Sequence, residues 1–174
     1  YIQAFTNTIQ QTGWPPEEIT RNRDVFSHFV EPKLQANEKV AYFLIDSLRY
    51  ELAVELQEEL EQKYTVDLYP VSAQLPTITP VGMASLMPQA DQKFSMLKKN
   101  DNIFPTLDGK PVHTSKERAD WIKSIYGDRY KDLKLQDLVK ANSKLDIQKV
   151  VDLLVVRDTA IDKAGETDAA FALR

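Results

Sequence analysis

The chain has 174 residues, enough for one domain with a buried core, and its 43% hydrophobic and 28% charged residues are ordinary for a globular domain. Its formal net charge of −4 argues against broad, charge-driven binding of a phosphate backbone. The absence of cysteine excludes disulfides and thiolate zinc sites, so any metal must be held by oxygen and imidazole ligands.

Neither a membrane span nor a signal peptide is visible in the sequence. No stretch approaches the roughly 18 apolar residues of a span, and the first residues lack a charged region followed by an apolar one. We therefore expect a cytoplasmic protein with no membrane partner. The chain begins on Tyr1 without methionine and ends on Arg174 just after an apolar-patterned segment, so we also expect a fragment of a longer protein.

Residues 1–37 predict an N-terminal helical segment, and residues 38–174 the main domain. The helical pattern is broken at GWPPEE, where two prolines force a turn and two glutamates suit the first turn of the next helix. Apolar residues then recur at helical spacing until Pro32. His28 lies among them, and we expect it to be packed.

A strand, a helix and a second strand are predicted next. EKVAYFLIDS contains a continuous apolar run, as buried strands do. From Leu48 to Tyr64 apolar residues recur at a period of 3.6 between acidic ones, which indicates an amphipathic helix. TVDLYPVSA, residues 65–73, alternates like a strand. This order predicts a parallel strand pair joined by a right-handed crossover.

The middle of the chain predicts a short helix over about 80–86, opened by a proline-punctuated turn. A loop or edge hairpin is expected over 89–115, with LDGKP as its turn. A helix follows, with Ser115 as its N-cap and Gly127 as its stop.

Two short amphipathic stretches, 133–142 and 146–150, lead into VVDLLVVRD, a buried-strand pattern that ends at Asp158. Because helix and strand patterns alternate along the chain, we predict an α/β fold with a mostly parallel sheet flanked by helices.

Two segments place polar side chains where helices begin. Asp46, at the end of the first strand, is equally well explained as the N-cap of the following helix and as a ligand at the carboxyl end of a strand. Thr79 precedes Pro80 and is the natural N-cap of the next helix, where its hydroxyl would face free N–H groups. Thr77 carries a second hydroxyl, and spacing does not choose between them.

A third segment, RDTAIDKAGE, clusters carboxylates. Asp158, Asp162 and Glu166 are four residues apart and would share one face of a helix. Taken alone, this cluster is better explained as a solvated face than as a set of cation ligands.

Three motifs together resemble a known family. FLIDSLRYELAVEL, LPTITPVGMASLMP and IDKAGE, in that order, resemble the PglZ domain of the alkaline phosphatase superfamily, which occurs in bacterial antiphage systems of the BREX type. DGKPVHTSKERADWI is similar to the segment between the family's second and third motifs. The resemblance covers most of the chain, from about Asp24 to its end.

The resemblance implies a site with two divalent cations, usually zinc, and a hydroxyl nucleophile that attacks phosphorus. Asp46 matches the first metal-ligand aspartate, Thr79 the nucleophile, and Asp162 a further metal ligand. Glu166 stands where many members have a ligand histidine. Two cations would lower the pKa of Thr79 and hold the attacking and leaving oxygens. The metal ligands implied are therefore Asp46, Thr79, Asp162 and Glu166.

One departure from the family limits the site. The superfamily's second Asp-His pair and its later histidine have no match, and neither His28 nor His113 falls in a matching context. We expect an alkaline-phosphatase-like partial domain that binds metal weakly and has little activity by itself. Its parent would be a metal-dependent phosphatase or phosphodiesterase.

The resemblance also implies partners and leaves alternatives open. The substrate would be a phosphate ester, with nucleotides and nucleic acids as candidates, and other defence-system proteins would be partners. One alternative is a non-catalytic scaffold within a defence complex. Another is a receiver-like domain with Asp46 as phospho-acceptor, which the Thr-Pro turn and the lack of an acidic pair beside Asp46 argue against.

Overall fold

The computed structural model describes residues 1–15, 18–140 and 151–166. Its helices, in chain order, are α1 (Ile2–Thr12), α2 (Glu31–Gln35), α3 (Tyr50–Glu61), α4 (Thr79–Ser85), α5 (Ala90–Lys93), α6 (Ser115–Tyr126), α7 (Leu135–Lys140) and α8 (Ala160–Glu166). Its strands are β1 (Val40–Ile45), β2 (Phe94–Lys99), β3 (Asn102–Leu107), β4 (Lys110–Pro111), β5 (Tyr130–Lys134) and β6 (Leu153–Asp158). Residues 16 and 17 of the predicted GWPPEE turn and the stretch 146–150 lie outside the described residues.

The main sheet has the order β1-β6-β5, and both pairings are parallel. The central strand β6 is buried on both faces, which explains its continuous apolar run. Leu153 and Val155 face the large core, whereas Leu154 and Val156 join a smaller cluster that includes residues of α7. The predicted α/β class with a parallel sheet and flanking helices is confirmed.

The second strand predicted over 65–73 is wrong. The segment makes only an isolated bridge between Ser72 and Arg21 within the described residues. Pro70 has no N–H to give to a ladder, and its neighbours Tyr69 and Val71 are exposed. The alternation of this segment therefore does not mark a core-facing strand, and β1 pairs with β6, far later in the chain.

A loop or an edge hairpin was predicted between residues 89 and 115, and the structure has a hairpin there. Strands β2, β3 and β4 form a separate antiparallel sheet. Leu107 pairs with Lys110 around a two-residue turn, in which Asp108 and Gly109 have φ values of 52° and 73°. Aspartate followed by glycine suits this turn because both positions need positive φ.

The N-cap of helix α6 lies one residue earlier than predicted. Thr114, not Ser115, is the N-cap: its hydroxyl accepts the Glu117 N–H at 3.2 Å, and the Glu117 carboxylate accepts the Thr114 N–H at 2.7 Å. Gly127, with φ of 56°, follows the last helical residue as predicted. The reciprocal cap fixes the start of a helix that contributes to the candidate site.

The residues before β1 join the main core. A π-helical segment, Phe26–Val30, runs directly into α2, and Phe26 packs in one cluster with Leu44 of β1 and Leu153 of β6. His28 is exposed, so its predicted packing is wrong. The domain boundary at residue 37 stays a prediction. None of the described helices combines the length and apolar character that crossing a bilayer requires.

Substitution of Phe26 tests this core. The side chain is 1% exposed, and its ring lies 5.7 Å from that of Tyr42 and 6.2 Å from that of Tyr126. Phe26→Ala removes these contacts and leaves a cavity, so we expect the free energy of unfolding to fall by about 3–5 kcal/mol. Phe43→Ala is the matched control, because Phe43 is 47% exposed, and it is expected to cost about 1 kcal/mol or less. Chemical denaturation measures both; equal losses would contradict the described core.

Candidate functional site

The carboxyl edge of the parallel sheet brings charged strand ends together. Ile45 is the register partner of Asp158, and Lys134 that of Arg157. The Asp46 N–H continues the ladder by donating to the Asp158 carbonyl oxygen at 3.0 Å. Residues from β1, β5 and β6 therefore emerge at one edge, which is where open parallel sheets bind ligands.

Asp46 does not cap a helix. Helix α3 begins at Tyr50 and has Arg49 as its N-cap, without a side-chain capping bond. The Asp46 carboxyl instead lies near the Ser47 backbone N–H and the Thr79 hydroxyl, and both polar groups favour its charged form. Ser47 has φ of 60°, a left-handed conformation that is uncommon for serine. The cap interpretation of Asp46 is therefore wrong, and its ligand interpretation remains.

Thr79 is the first residue of α4 and not its cap. Ile78 occupies the N-cap position, and the Thr79 side chain makes no capping bond. Two of the N–H groups expected to be free after Thr79 are not available, since Pro80 has none and the Val81 N–H donates to the Ile78 carbonyl at 3.0 Å. Thr79 lines a cavity beside Asp46, whereas Thr77 does not contribute to the lining that the described residues form.

Asp162 lies close to Asp46. The Ser47 hydroxyl donates to Asp162 Oδ1 at 2.7 Å, and the negative charge of Asp162 acts on the Asp46 carboxyl. Asp158 is the last residue of β6, and its Oδ2 accepts the Ala160 N–H at 3.0 Å at the start of α8. The prediction of one helical face shared by three carboxylates is therefore wrong for Asp158. Glu166 ends α8, and its side chain lies outside the described part of the chain.

The environment of Asp46 disfavours its charged form. Burial, followed by repulsion from Asp162, raises the pKa of Asp46. The nearby Ser47 N–H, the Thr79 hydroxyl and the charge of Arg118 act on this pKa in the opposite direction without cancelling the rise. Two carboxylates held together in this way form a place where a cation would be stabilised.

A cavity of about 380 Å³ opens beside Asp46 and Thr79. Four basic side chains line it together with the carboxylates of Asp46 and Asp158. The basic residues are Arg118, Lys134, Arg157 and Lys163. None of these four residues was among the site residues predicted from the sequence. Two of them lie at the ends of strands, since Lys134 is the last residue of β5 and Arg157 is the next-to-last residue of β6.

The described residues supply part of a cation site. Within residues 1–15, 18–140 and 151–166, no group of three or more His, Cys, Asp or Glu side chains is arranged to hold a metal ion. Asp46, Asp162 and the Thr79 hydroxyl provide two carboxylates and one neutral oxygen, which is fewer than the four ligands of an ordinary protein zinc site. These donor types fit a divalent cation, but three donors are too few to hold two cations.

The raised pKa of Asp46 predicts a pH-dependent cost in stability. Between the unfolded value near 3.8 and the higher folded value, the folded state binds more protons, so the free energy of unfolding falls as the pH rises. Asp46→Asn removes the ionisation and keeps the shape. We therefore expect this variant to be more stable than the wild type at neutral pH without metal, with the difference disappearing well below pH 3.8.

Urea denaturation at both pH values measures this difference, with metal removed by a chelator. Asp67→Asn is the control, since Asp67 is exposed in the loop after α3, and it should leave stability nearly unchanged at both values. A variant at position 46 that is less stable than the wild type at neutral pH would contradict the described electrostatics.

Comparisons with known proteins identify the family of this domain. Residues 25–170 match the family model of the BREX system PglZ alkaline phosphatase-like domain. The chain is 30% identical over 130 residues to the alkaline phosphatase-like protein PglZ of Bacillus cereus (strain H3081.97), a match that covers 71% of the chain and 15% of that relative. It is 27% identical over 159 residues to the alkaline phosphatase-like protein BrxZ of Escherichia coli O9:H4 (strain HS), covering 89% of the chain and 18% of that relative. The chain thus spans less than a fifth of the length of these curated relatives. The predicted resemblance is confirmed: the chain belongs to the BREX system PglZ alkaline phosphatase-like domain family.

Proposed function

We propose that this domain carries the nucleophile of a metal-dependent phosphate ester hydrolase that acts in BREX-type antiphage defence. The observation that carries the proposal is the contact between the Thr79 hydroxyl and the buried Asp46 carboxylate, at the rim of a cavity with a basic wall. Family membership supports the defence role and implies that other defence-system proteins are partners.

Thr79 is the attacking group in this proposal. Its oxygen would form the new bond to phosphorus while the bond from phosphorus to the leaving oxygen breaks and the leaving oxygen takes up a proton. Water would then attack phosphorus, break the bond to Thr79 and restore the Thr79 hydroxyl. The Thr79 hydroxyl lies near the Asp46 carboxyl and lines the same cavity, so Asp46 is placed to help position the attacking oxygen. Hydroxyls are weak nucleophiles at their ordinary pKa, so this arrangement needs further activation.

Divalent cations would supply that activation. Asp46, Asp162 and Thr79 are the described residues that would hold such a cation, with Glu166 as the further ligand implied by the family pattern. A bound cation lowers the pKa of a coordinated hydroxyl and stabilises negative charge on phosphoryl oxygens. It would also relieve the repulsion between Asp46 and Asp162.

The charge around the cavity supports an anionic substrate. The chain as a whole carries a net charge of −4, yet four basic side chains and two carboxylates line the cavity. Positive groups concentrated in a cleft attract and orient anions. Phosphate esters, including those in nucleotides and nucleic acids, are the substrate class that fits this wall and the Thr79 hydroxyl together.

One observation favours a second function, a non-catalytic scaffold in a defence complex. The described residues do not assemble three metal-ligating side chains of the usual types. A scaffold would need neither the Thr79 hydroxyl nor metal, so loss of that hydroxyl separates the two functions.

Substitution of Thr79 tests the proposed hydrolase. In the natural protein that contains these 174 residues, Thr79→Ala removes the attacking oxygen, so we expect metal-dependent hydrolysis of an aryl phosphodiester or phosphomonoester to fall by about a thousandfold or more. Zinc or manganese is added back after chelation. The 174-residue chain alone is expected to bind metal weakly and to show little turnover.

Thr77→Ala is the matched control, because Thr77 is exposed and lies outside the cavity lining formed by described residues. It should retain activity, and Thr79→Ser should retain part of it by keeping a hydroxyl. An alanine variant at position 79 as active as the wild type would overturn the nucleophile assignment. No hydrolysis of either ester with any metal would favour the scaffold.

A further inference from the structure

We infer that Arg118 binds the phosphoryl oxygens of the substrate, an inference that rests on the proposed phosphate ester chemistry. Arg118 belongs to α6, far along the chain from both Asp46 and Thr79, yet it lines the same cavity. Among the described residues, it is the one of the four basic lining residues that is partly buried and makes no ion pair with a carboxylate.

The start of α6 places Arg118 at the cavity. Ser115 and Arg118 are three residues apart in the first turn, so they share one helix face, and both line the cavity. The Thr114–Glu117 cap fixes where this turn begins. The position of the guanidinium is therefore set by a capped helix and not by an irregular loop.

Backbone oxygens hold the guanidinium without neutralising it. Nη1 of Arg118 donates to the His113 carbonyl at 2.6 Å and to the Val112 carbonyl at 3.3 Å. Within the described residues, Arg118 makes no ion pair and its Nε and Nη2 make no hydrogen bond. The charge of Arg118 acts on the nearby Asp46 carboxyl without forming an ion pair with it. A guanidinium that is anchored on one side and keeps donors without a partner is preorganised to bind an oxyanion.

Arg157 is arranged differently. Its Nε donates to Asp132 Oδ1 at 3.1 Å, and its Nη2 contacts the same oxygen. The Tyr130 hydroxyl donates to the other oxygen of Asp132 at 2.8 Å. The charge and two donors of Arg157 are thus satisfied within the protein, so Arg157 has less to offer a ligand.

The two lysines are less suited than Arg118. Lys134 and Lys163 are exposed, where water and salt screen their charges. An ammonium group also lacks the planar fork that pairs with two oxygens of one phosphoryl group. The lysines can attract an anion, whereas Arg118 can orient it beside Thr79.

Binding of inorganic phosphate tests this inference without turnover. The natural protein is stripped of metal, and phosphate affinity is measured by calorimetry in wild type, Arg118→Gln and Arg118→Lys. We expect the glutamine variant to bind phosphate about tenfold or more weakly, because charge-assisted hydrogen bonds are lost. The lysine variant should lie between, since it keeps the charge but not the fork.

Arg129→Gln is the matched control. Arg129 is paired with Asp152 at 2.5 Å and does not line the cavity, so its loss should leave phosphate binding unchanged. Thermal unfolding of each variant shows whether the fold is kept. If Arg118→Gln does not fold because the Val112 and His113 carbonyls lose their donor, the lysine variant decides.

The inference is overturned if the wild type binds no phosphate, or if folded Arg118 variants bind it as tightly as the wild type. Its failure can be told from that of the proposed hydrolase. Thr79-dependent hydrolysis with unchanged phosphate binding in the Arg118 variants refutes only the role of Arg118. Arg118-dependent phosphate binding without hydrolysis of any ester supports the anion site and refutes the hydrolase.

Discussion

The parallel pairing of β1 with β6 is the constraint on which the site depends. It aligns the ends of the two strands, and the bond from the Asp46 N–H to the Asp158 carbonyl, at 3.0 Å, continues the ladder past β1. Pairing of β6 with β5 then brings Lys134 and Arg157 to the same edge. A shift of one residue in either register would turn the strand's side chains to the opposite face. The register of the sheet therefore determines which side chains meet at the site.

Several features of the candidate site lower the stability of the folded chain. Asp46 is buried beside Asp162 and has a raised pKa, and Ser47 between them adopts a left-handed backbone conformation. Such features cost folding free energy and persist where the surrounding structure enforces them. Here the core around Phe26 and the two-sided burial of β6 provide that enforcement. A cation and a phosphoryl group would relieve the charge imbalance that the folded chain maintains.

Local sequence patterns predicted individual strands and turns, whereas the pairing of strands far apart in the chain could not be predicted from them. The apolar runs of β1 and β6 and the Asp108–Gly109 turn follow from rules that act over a few residues. The partner of β1 does not, because the alternation in 65–73 is the same whether or not the segment pairs with another strand, and here it makes only an isolated bridge within the described residues.

The residues of the candidate site were likewise predicted only in part. Motif resemblance selected Asp46, Thr79 and Asp162, and the fold brings these three together. Whether Asp46 or Thr79 is a helix cap depends on where α3 and α4 begin, which shifts by one or two residues without a clear sequence signal. Arg118 was missed because a basic residue on an amphipathic helix has the same pattern whether it faces solvent or a cavity.

The central claim, that Asp46 and Thr79 form the metal-dependent reaction centre, is tested most directly by anomalous diffraction at the zinc edge from crystals of the natural protein grown with zinc. The account predicts a zinc peak within bonding distance of an Asp46 carboxylate oxygen and the Thr79 hydroxyl. Zinc bound elsewhere, with neither residue as a ligand, would contradict it.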